Sequence, residues 1–266
     1  MLDILSPFSL MVHKRALLEE FVLREIKGRL VGTVGGILWT IMSPLATIIA
    51  YFFVFSVIMR VSVTVKDTGT NSFVLFFLTG FFPWIMFAES LSKSVSVLVN
   101  EAELITKVVF PVELLPISSV IATFIVNGIG FLLVLVILAF KGFVSWTWLY
   151  IPLFIIILIC FTLGLCFFIS ALNVFIRDTS ELLMIIIMLW FFGTPVIYPS
   201  SMVPARFIRF ISLNPMSLFV KAFRDAILIH RVNIITVLLL AVISLLSYIA
   251  GFWFFRKTKP AFGDVL

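Results

Sequence analysis

The sequence predicts an all-α membrane protein with six transmembrane helices, an N-terminal amphipathic interface helix and a re-entrant outer helical hairpin between spans 5 and 6. Three observations carry that expectation. Of the 266 residues, 62% are hydrophobic and 12% charged, and the mean hydropathy is +1.26, well outside the range of a soluble domain. The apolar residues fall into six runs of about the 20 residues that a helix needs to cross a hydrocarbon core. The fifth run then breaks up in "WFFGTPVIYPSSMVP", Trp190 to Pro204, where a glycine and three prolines stop a regular helix from continuing.

The six spans are expected near residues 34 to 59, 73 to 98, 117 to 140, 147 to 172, 182 to 198 and 233 to 255. They make one transmembrane domain over residues 1–266, with an interface helix in 1–33, the spans in 34–255 and a cytoplasmic tail in 256–266. An even number of spans puts both termini on one side. Lys14, Arg15, Arg24, Lys27 and Arg29 precede the first span, whereas Arg60 and Lys66 come after it, so the termini are expected in the cytoplasm. Arg206, Arg209, Lys221, Arg224 and Arg231 lie on the assigned outer side, against a simple count. Their segment reads as partly inserted in the membrane. Residues 1–33 are studded with charge and lack the apolar core of a signal peptide.

In "SPFSLMVHKRALLEEFVLREIKGRL", Leu17, Leu18, Phe21, Val22 and Ile26 fall at helical spacing opposite Lys14, Glu20, Arg24 and Lys27. Such a helix lies on the cytoplasmic membrane surface, either as a lipid anchor or as a docking collar for a cytoplasmic partner. Span 2 contains Pro83 and then Glu89 and Lys93, an i, i+4 ion pair expected near the interface. After it, "NEAELITKVVFPVELLP" is too polar to cross, and reads as a short cytoplasmic helix ending near Phe110, with Pro111 and Pro116 bracketing the next short segment. In "FIRDTSE", Arg177 adds inner positive charge and Asp178 is placed to cap the next helix. Beyond the breakers, "ARFIRFISLNP" and "MSLFVKAFRDAILIH" read as two short amphipathic helices joined at Asn214 and Pro215. Broken helices at membrane depth are tolerated where protein or a watery cavity satisfies the freed backbone, hence the re-entrant hairpin at a pore mouth.

Composition excludes several function classes. Cys160 and Cys166 read as small apolar residues, and His13 and His230 stand alone, so no metal site and no catalytic residue is expected. The net charge of +6 fits membrane orientation and lipid headgroups rather than nucleic acid. Ionisable residues deep in the spans, beyond Glu89 and Lys93, are missing, which argues against a self-contained secondary transporter or channel.

The chain resembles the membrane permease subunits of bacterial ABC exporters for polysaccharides and polyol phosphates, the group that handles O-antigen, capsule and teichoic acid. The likeness is carried by "REIKGRLVGTVGGILWTIMSPL", "LITKVVFPVELLP", "NVFIRDTSELL", "TPVIYP", "LNP" and "FRD", in that order along nearly the whole chain. The resemblance implies a homodimer in the bacterial cytoplasmic (inner) membrane, served by a cytoplasmic ABC ATPase on a separate polypeptide. The absence of a G-x-x-x-x-G-K-[ST] phosphate loop fits that division, with ATP and magnesium on the partner and no cofactor on this chain. Candidate ATPase-interface residues are Arg24, Lys27, Arg29, Glu101, Glu103, Lys107, Phe110, Arg177 and Asp178.

A sugar cargo also has a physical rationale. The 31 Phe, 6 Trp and 4 Tyr cluster in "YFFVF", "FFLTGFFPW" and "WFF", and aromatic faces stack on sugar rings without fixing them. Tyr51, Phe55, Trp84 and Trp190 are the candidate conduit lining; the alternative is that such rings face lipid or pack between helices. Pro195, Tyr198, Arg206, Arg209 and Arg224 are the candidate outer gate, with Arg224 paired to a carboxylate or meeting anionic cargo. The expected function is export of a lipid-linked polysaccharide or polyol-phosphate polymer. The rivals are an ABC exporter of a small drug or lipid, and then a secondary transporter or channel.

Overall fold

The computed structural model describes residues 13–28, 38–60, 68–108 and 110–266. Helices account for the architecture, and no β-sheet forms among the described residues. In chain order they are α1 (Arg15–Gly28), α2 (Leu38–Phe52, prolonged by a π turn over Phe53–Ile58), α3 (Phe73–Ser94), α4 (Val97–Asn100), α5 (Ala102–Lys107) and α6 (Leu114–Phe140). Next come α7 (Ile151–Phe175), α8 (Thr179–Phe192), α9 (Ala205–Leu213), α10 (Pro215–Arg224, prolonged by a π turn over Asp225–Ile229), α11 (Ile234–Thr258) and α12 (Phe262–Val265).

Four stretches are long and apolar enough to cross a membrane: Phe73–Ser94, Leu114–Phe140, Trp146–Phe175 and Ile234–Val265. Two apolar helices are shorter, Pro44–Ile58 and Thr179–Phe192. At 1.5 Å per residue the 14 residues of α8 reach only ~21 Å, short of the ~30 Å of a hydrocarbon core. The fifth run, expected over 182 to 198, forms a helix that begins earlier, at Thr179, and stops before Gly193, where Thr194 and Pro195 turn the chain. Residues 34 to 37 of the expected first span lie outside the described residues, as do Arg29 and Lys66.

The third span starts three residues before its expected position, with Pro116 inside the first helical turn. Proline fits there because the first-turn N–H groups have no intrahelical acceptor to lose. Residues 256 to 266, expected as a tail, are also built into the fold. Helix α11 runs on to Thr258, and Phe262 is buried beside Phe255 and Phe175.

Helix α3 is the central post, enclosed along nearly its whole length from Phe73 to Ser94. The closest helix pairing joins α7 and α11, where glycines let two backbones meet. A Cβ added to Gly251 would lie 1.8 Å from the Gly164 carbonyl oxygen, so neither helix could approach this far with a larger residue. Ser247 Oγ donates across the seam to the Phe161 carbonyl at 3.1 Å. Both cysteines are free; half-buried Cys160 donates across this seam to the Ser244 carbonyl at 3.7 Å, and Cys166 is buried.

Candidate functional site

The helices sort the candidate residues to opposite ends of the bundle. At one end α1 lies against the start of α6. Leu18 and Val22 are buried there, and Leu17, Phe21 and Ile26 pack alongside. The apolar stripe of α1 thus rests on protein through Leu18 and Val22, with Leu17, Phe21 and Ile26 half-buried at its margins. Arg24 binds the Glu101 carboxylate, and its guanidinium also lies 5.1 Å above the Phe21 ring, which in turn meets Phe110 at 5.9 Å. Lys27 is exposed on the same helix.

Helix α5 presents Glu103 and Lys107 to solvent as an i, i+4 pair at 3.2 Å, too exposed to contribute much stability. The helix ends at Lys107, before Phe110, because Val108 turns to extended backbone. Arg177 and Asp178 form the exposed turn between α7 and α8 at this same end. Asp178 occupies the N-cap position, but its side chain makes no capping hydrogen bond; its carbonyl accepts from Leu182 N at 3.0 Å. The Glu89–Lys93 pair forms at 3.3 Å, with Asn127 Nδ2 donating to Glu89 at 2.6 Å. The pair is half-buried within α3, and the Asn127 bond joins it to α6.

The conduit candidates are packed between helices within the chain. Tyr51 contacts Phe55, Phe77 and Phe81 at 5.9, 4.5 and 5.3 Å between ring centroids, a ladder that holds α2 on α3. Trp84 is buried, 5.5 Å from Phe191 of α8. Trp190 meets Phe87 edge-on at 5.1 Å and also borders a groove of about 700 Å³. Phe192, Tyr198, Phe207, Phe210 and Asn214 are among the other residues that line this groove.

Asn214 is the organising residue at the junction of α9 and α10. Its side-chain oxygen accepts from Trp190 Nε1 at 2.7 Å and from Met216 N at 3.0 Å. Its amide donates to Gly193 O at 3.1 Å and to Thr194 Oγ1 at 2.9 Å. One side chain thereby caps α10 and ties it to the turn that ends α8. An asparagine directly before a proline marks a helix start in the sequence, but that signal carries no trace of the bond to Trp190.

Arg224 corrects an expectation. In place of a carboxylate, its guanidinium finds three backbone carbonyls: Nε donates to Phe76 O at 3.1 Å, Nη1 to Pro195 O, and Nη2 to Val196 O at 2.6 Å. The planar group also stacks 3.7 Å from the centre of the Phe76 ring. The geometry depends on Gly80, where a Cβ would come within 2.5 Å of Nη2. A rigid fork of five donors suits this role as a lysine would not. Arg224 therefore fastens α10 to α3 and to the Pro195–Val196 turn from within the fold, on the wall of a cavity of about 350 Å³ that Pro195, Lys221 and Asp225 also line.

The remaining gate candidates differ among themselves. Tyr198 donates to Phe192 O at 2.8 Å, closing the turn after α8. Arg206 and Arg209 are exposed on α9, with Arg206 4.7 Å from the Phe207 ring. Among the described residues no group of three or more His, Cys, Asp or Glu side chains could hold a metal ion.

The family described as "ABC-2 type transporter" matches residues 18–228. The O-antigen export system permease protein RfbA of Klebsiella pneumoniae is 32% identical over 250 residues, covering 91% of this chain and 92% of that protein. The protein of the same name from Myxococcus xanthus is 31% identical over 255 residues, 94% of this chain and 95% of its own. The polysialic acid transport protein KpsM of Escherichia coli is 23% identical over 251 residues, with 93% and 95% covered.

Proposed function

The chain belongs to the ABC-2 type transporter family. From that premise we propose that it is the transmembrane subunit of an ATP-driven exporter moving a lipid-linked, O-antigen-like polysaccharide or a polyol-phosphate polymer across the bacterial cytoplasmic membrane. The observation that carries this reading is the nearly full-length likeness to permeases named for O-antigen export. ATP hydrolysis falls to a separate ABC ATPase, and α1, α5 and the Arg177–Asp178 turn are the surfaces that receive it. Exposed charge at one end of the bundle, on helices too short or too polar to cross lipid, supports that assignment.

In this reading α2 and α8 complete six spans, and the α9–α10 pair is a re-entrant hairpin at the outer leaflet. The termini are cytoplasmic, consistent with Arg15, Arg24 and Lys27 at the α1 end. A second copy closes the conduit around a two-fold axis. Exposed apolar residues on both short spans support this, among them Trp39, Met42 and Phe53 on α2 and Ile185, Met188 and Phe192 on α8.

Deleting the gene tests the function. Surface polymer should disappear while lipid-linked polymer accumulates inside, and restoring both this chain and its ATPase should reverse the defect. Normal surface polymer in the deletion strain would refute the assignment.

A further inference from the structure

The last eight residues of the structure are held in place by two independent anchors. Lys259 Nζ bonds both oxygens of Glu113, at 2.7 and 3.0 Å. The Glu113 side chain is only 8% exposed, and a carboxylate so enclosed needs a counter-ion. The second anchor is Phe262, 1% exposed, with ring centroids 5.4 Å from Phe255 and 6.2 Å from Phe175. Glu113 stands at the junction of α5 and α6, Phe255 near the end of α11 and Phe175 at the end of α7. The segment therefore ties three helix ends together, and α12 touches both α5 and α7.

With Phe262 turned inward, the rest of α12 faces out. Gly263, Asp264 and Val265 are exposed, beside a helix, α5, whose own Glu103, Lys107 and Val108 are exposed as well. An outward valine gains nothing from water, and Asp264 beside it would repel anionic lipid headgroups. Both features fit a protein partner.

We infer that residues 259–266 form part of the surface that receives the ATPase, continuous with α5, and that the Lys259–Glu113 clamp positions them for it. This rests on the docking role proposed above for α5. Lys259 and Glu113 act as positioning residues, while Asp264 and Val265 make the contact.

The test uses the complete permease–ATPase complex in membranes, with Cys160 and Cys166 replaced by alanine. Single cysteines at Glu103→Cys and Asp264→Cys are treated with a short bifunctional crosslinker. Both should join to the ATPase. If Glu103→Cys crosslinks and Asp264→Cys does not, the inference is wrong although the docking role of α5 stands. If neither crosslinks, the docking reading itself fails and this inference with it. Adding Lys259→Met should lower the yield at position 264 roughly five-fold, the population shift expected on loss of one tethering interaction, and leave position 103 unchanged. Reversing the pair with Glu113→Lys and Lys259→Glu should restore it. An unchanged yield in Lys259→Met would show that the clamp does not position the segment.

Discussion

Helices α9 and α10 are neighbours of nearly equal length, 9 and 10 residues, joined at Asn214 and alike in their amphipathic spacing. Their fates differ completely. No residue of α9 is buried, and Phe210 and Leu213 are more than 70% exposed. In α10 Met216, Phe219, Val220 and Phe223 are fully enclosed against the bundle. Amphipathic periodicity announces that a helix has a face to cover, but not what covers it. For α10 the cover is protein, secured by Arg224 and Asn214. For α9 none of the described residues encloses the apolar face, which is open to lipid, a second copy or cargo.

The largest effect that sharpens this contrast is expected at Arg224. Arg224→Ala strands the carbonyls of Phe76, Pro195 and Val196, and each buried acceptor left unpaired costs about 1–3 kcal/mol. Purified variant protein should melt well below the wild type, and Arg224→Lys should not rescue it, because one ammonium cannot reproduce the planar fork. Equal melting of wild type and Arg224→Ala would show that Arg224 does not fasten α10.

Gly80→Ala comes next, on the opposite wall of the same contact. Its methyl would press on Arg224 Nη2 at 2.5 Å and on Val220 Cγ1 at 2.9 Å, an overpacking worth about 1–3 kcal/mol. Melting of Gly80→Ala in the Arg224→Ala background should be less affected than in the wild type, since the two changes share one site. Strict additivity would contradict the shared geometry.

Asn214→Ala should cost about 1–2 kcal/mol as the loss of a helix cap, and should also free Trp190 Nε1. A changed tryptophan emission spectrum, read in a background with the other tryptophans replaced, would report that second loss. An unaltered spectrum would mean that Trp190 does not depend on Asn214.

The smallest effect on stability is expected on α9. Arg209→Gln and Phe210→Ser should leave melting within about ±0.5 kcal/mol of the wild type, as exposed positions do. If α9 stands at the exit, the same variants reduce polymer export at normal protein levels. A large loss of stability would show that α9 is packed like α10.

Much of this contrast is legible in the sequence, and the rest is hidden for physical reasons. The breakers at Gly193, Pro195, Pro199 and Pro204 and the joint at Asn214 are local backbone chemistry, and local chemistry is written in the sequence. The four long apolar helices are legible for the same reason, with ends displaced by a few residues. Arg224 misleads because a cation in an apolar chain suggests a carboxylate partner, whereas here carbonyls brought from residues 76, 195 and 196 do the work. Nothing in spacing announces contacts across 148 positions. The segment after residue 255 reads as a tail because it follows the last apolar run, and the burial of Phe262 depends on Phe175 far away in the chain. The aromatic residues are only partly readable. Tyr51 and Trp84 hold helices together within one chain, whereas Trp190 also borders the groove beside α9.

One measurement tests the difference between the two helices most directly: labelling of single cysteines along 204–230 by a membrane-impermeant thiol reagent applied from outside, with Cys160 and Cys166 replaced. Positions 206 and 209 on α9 should label readily, and positions 219, 220 and 223 on α10 should stay protected until Arg224 is replaced. Even labelling through both helices would contradict the locked α10, and labelling only from the cytoplasmic side would overturn the proposed orientation of the α9–α10 pair.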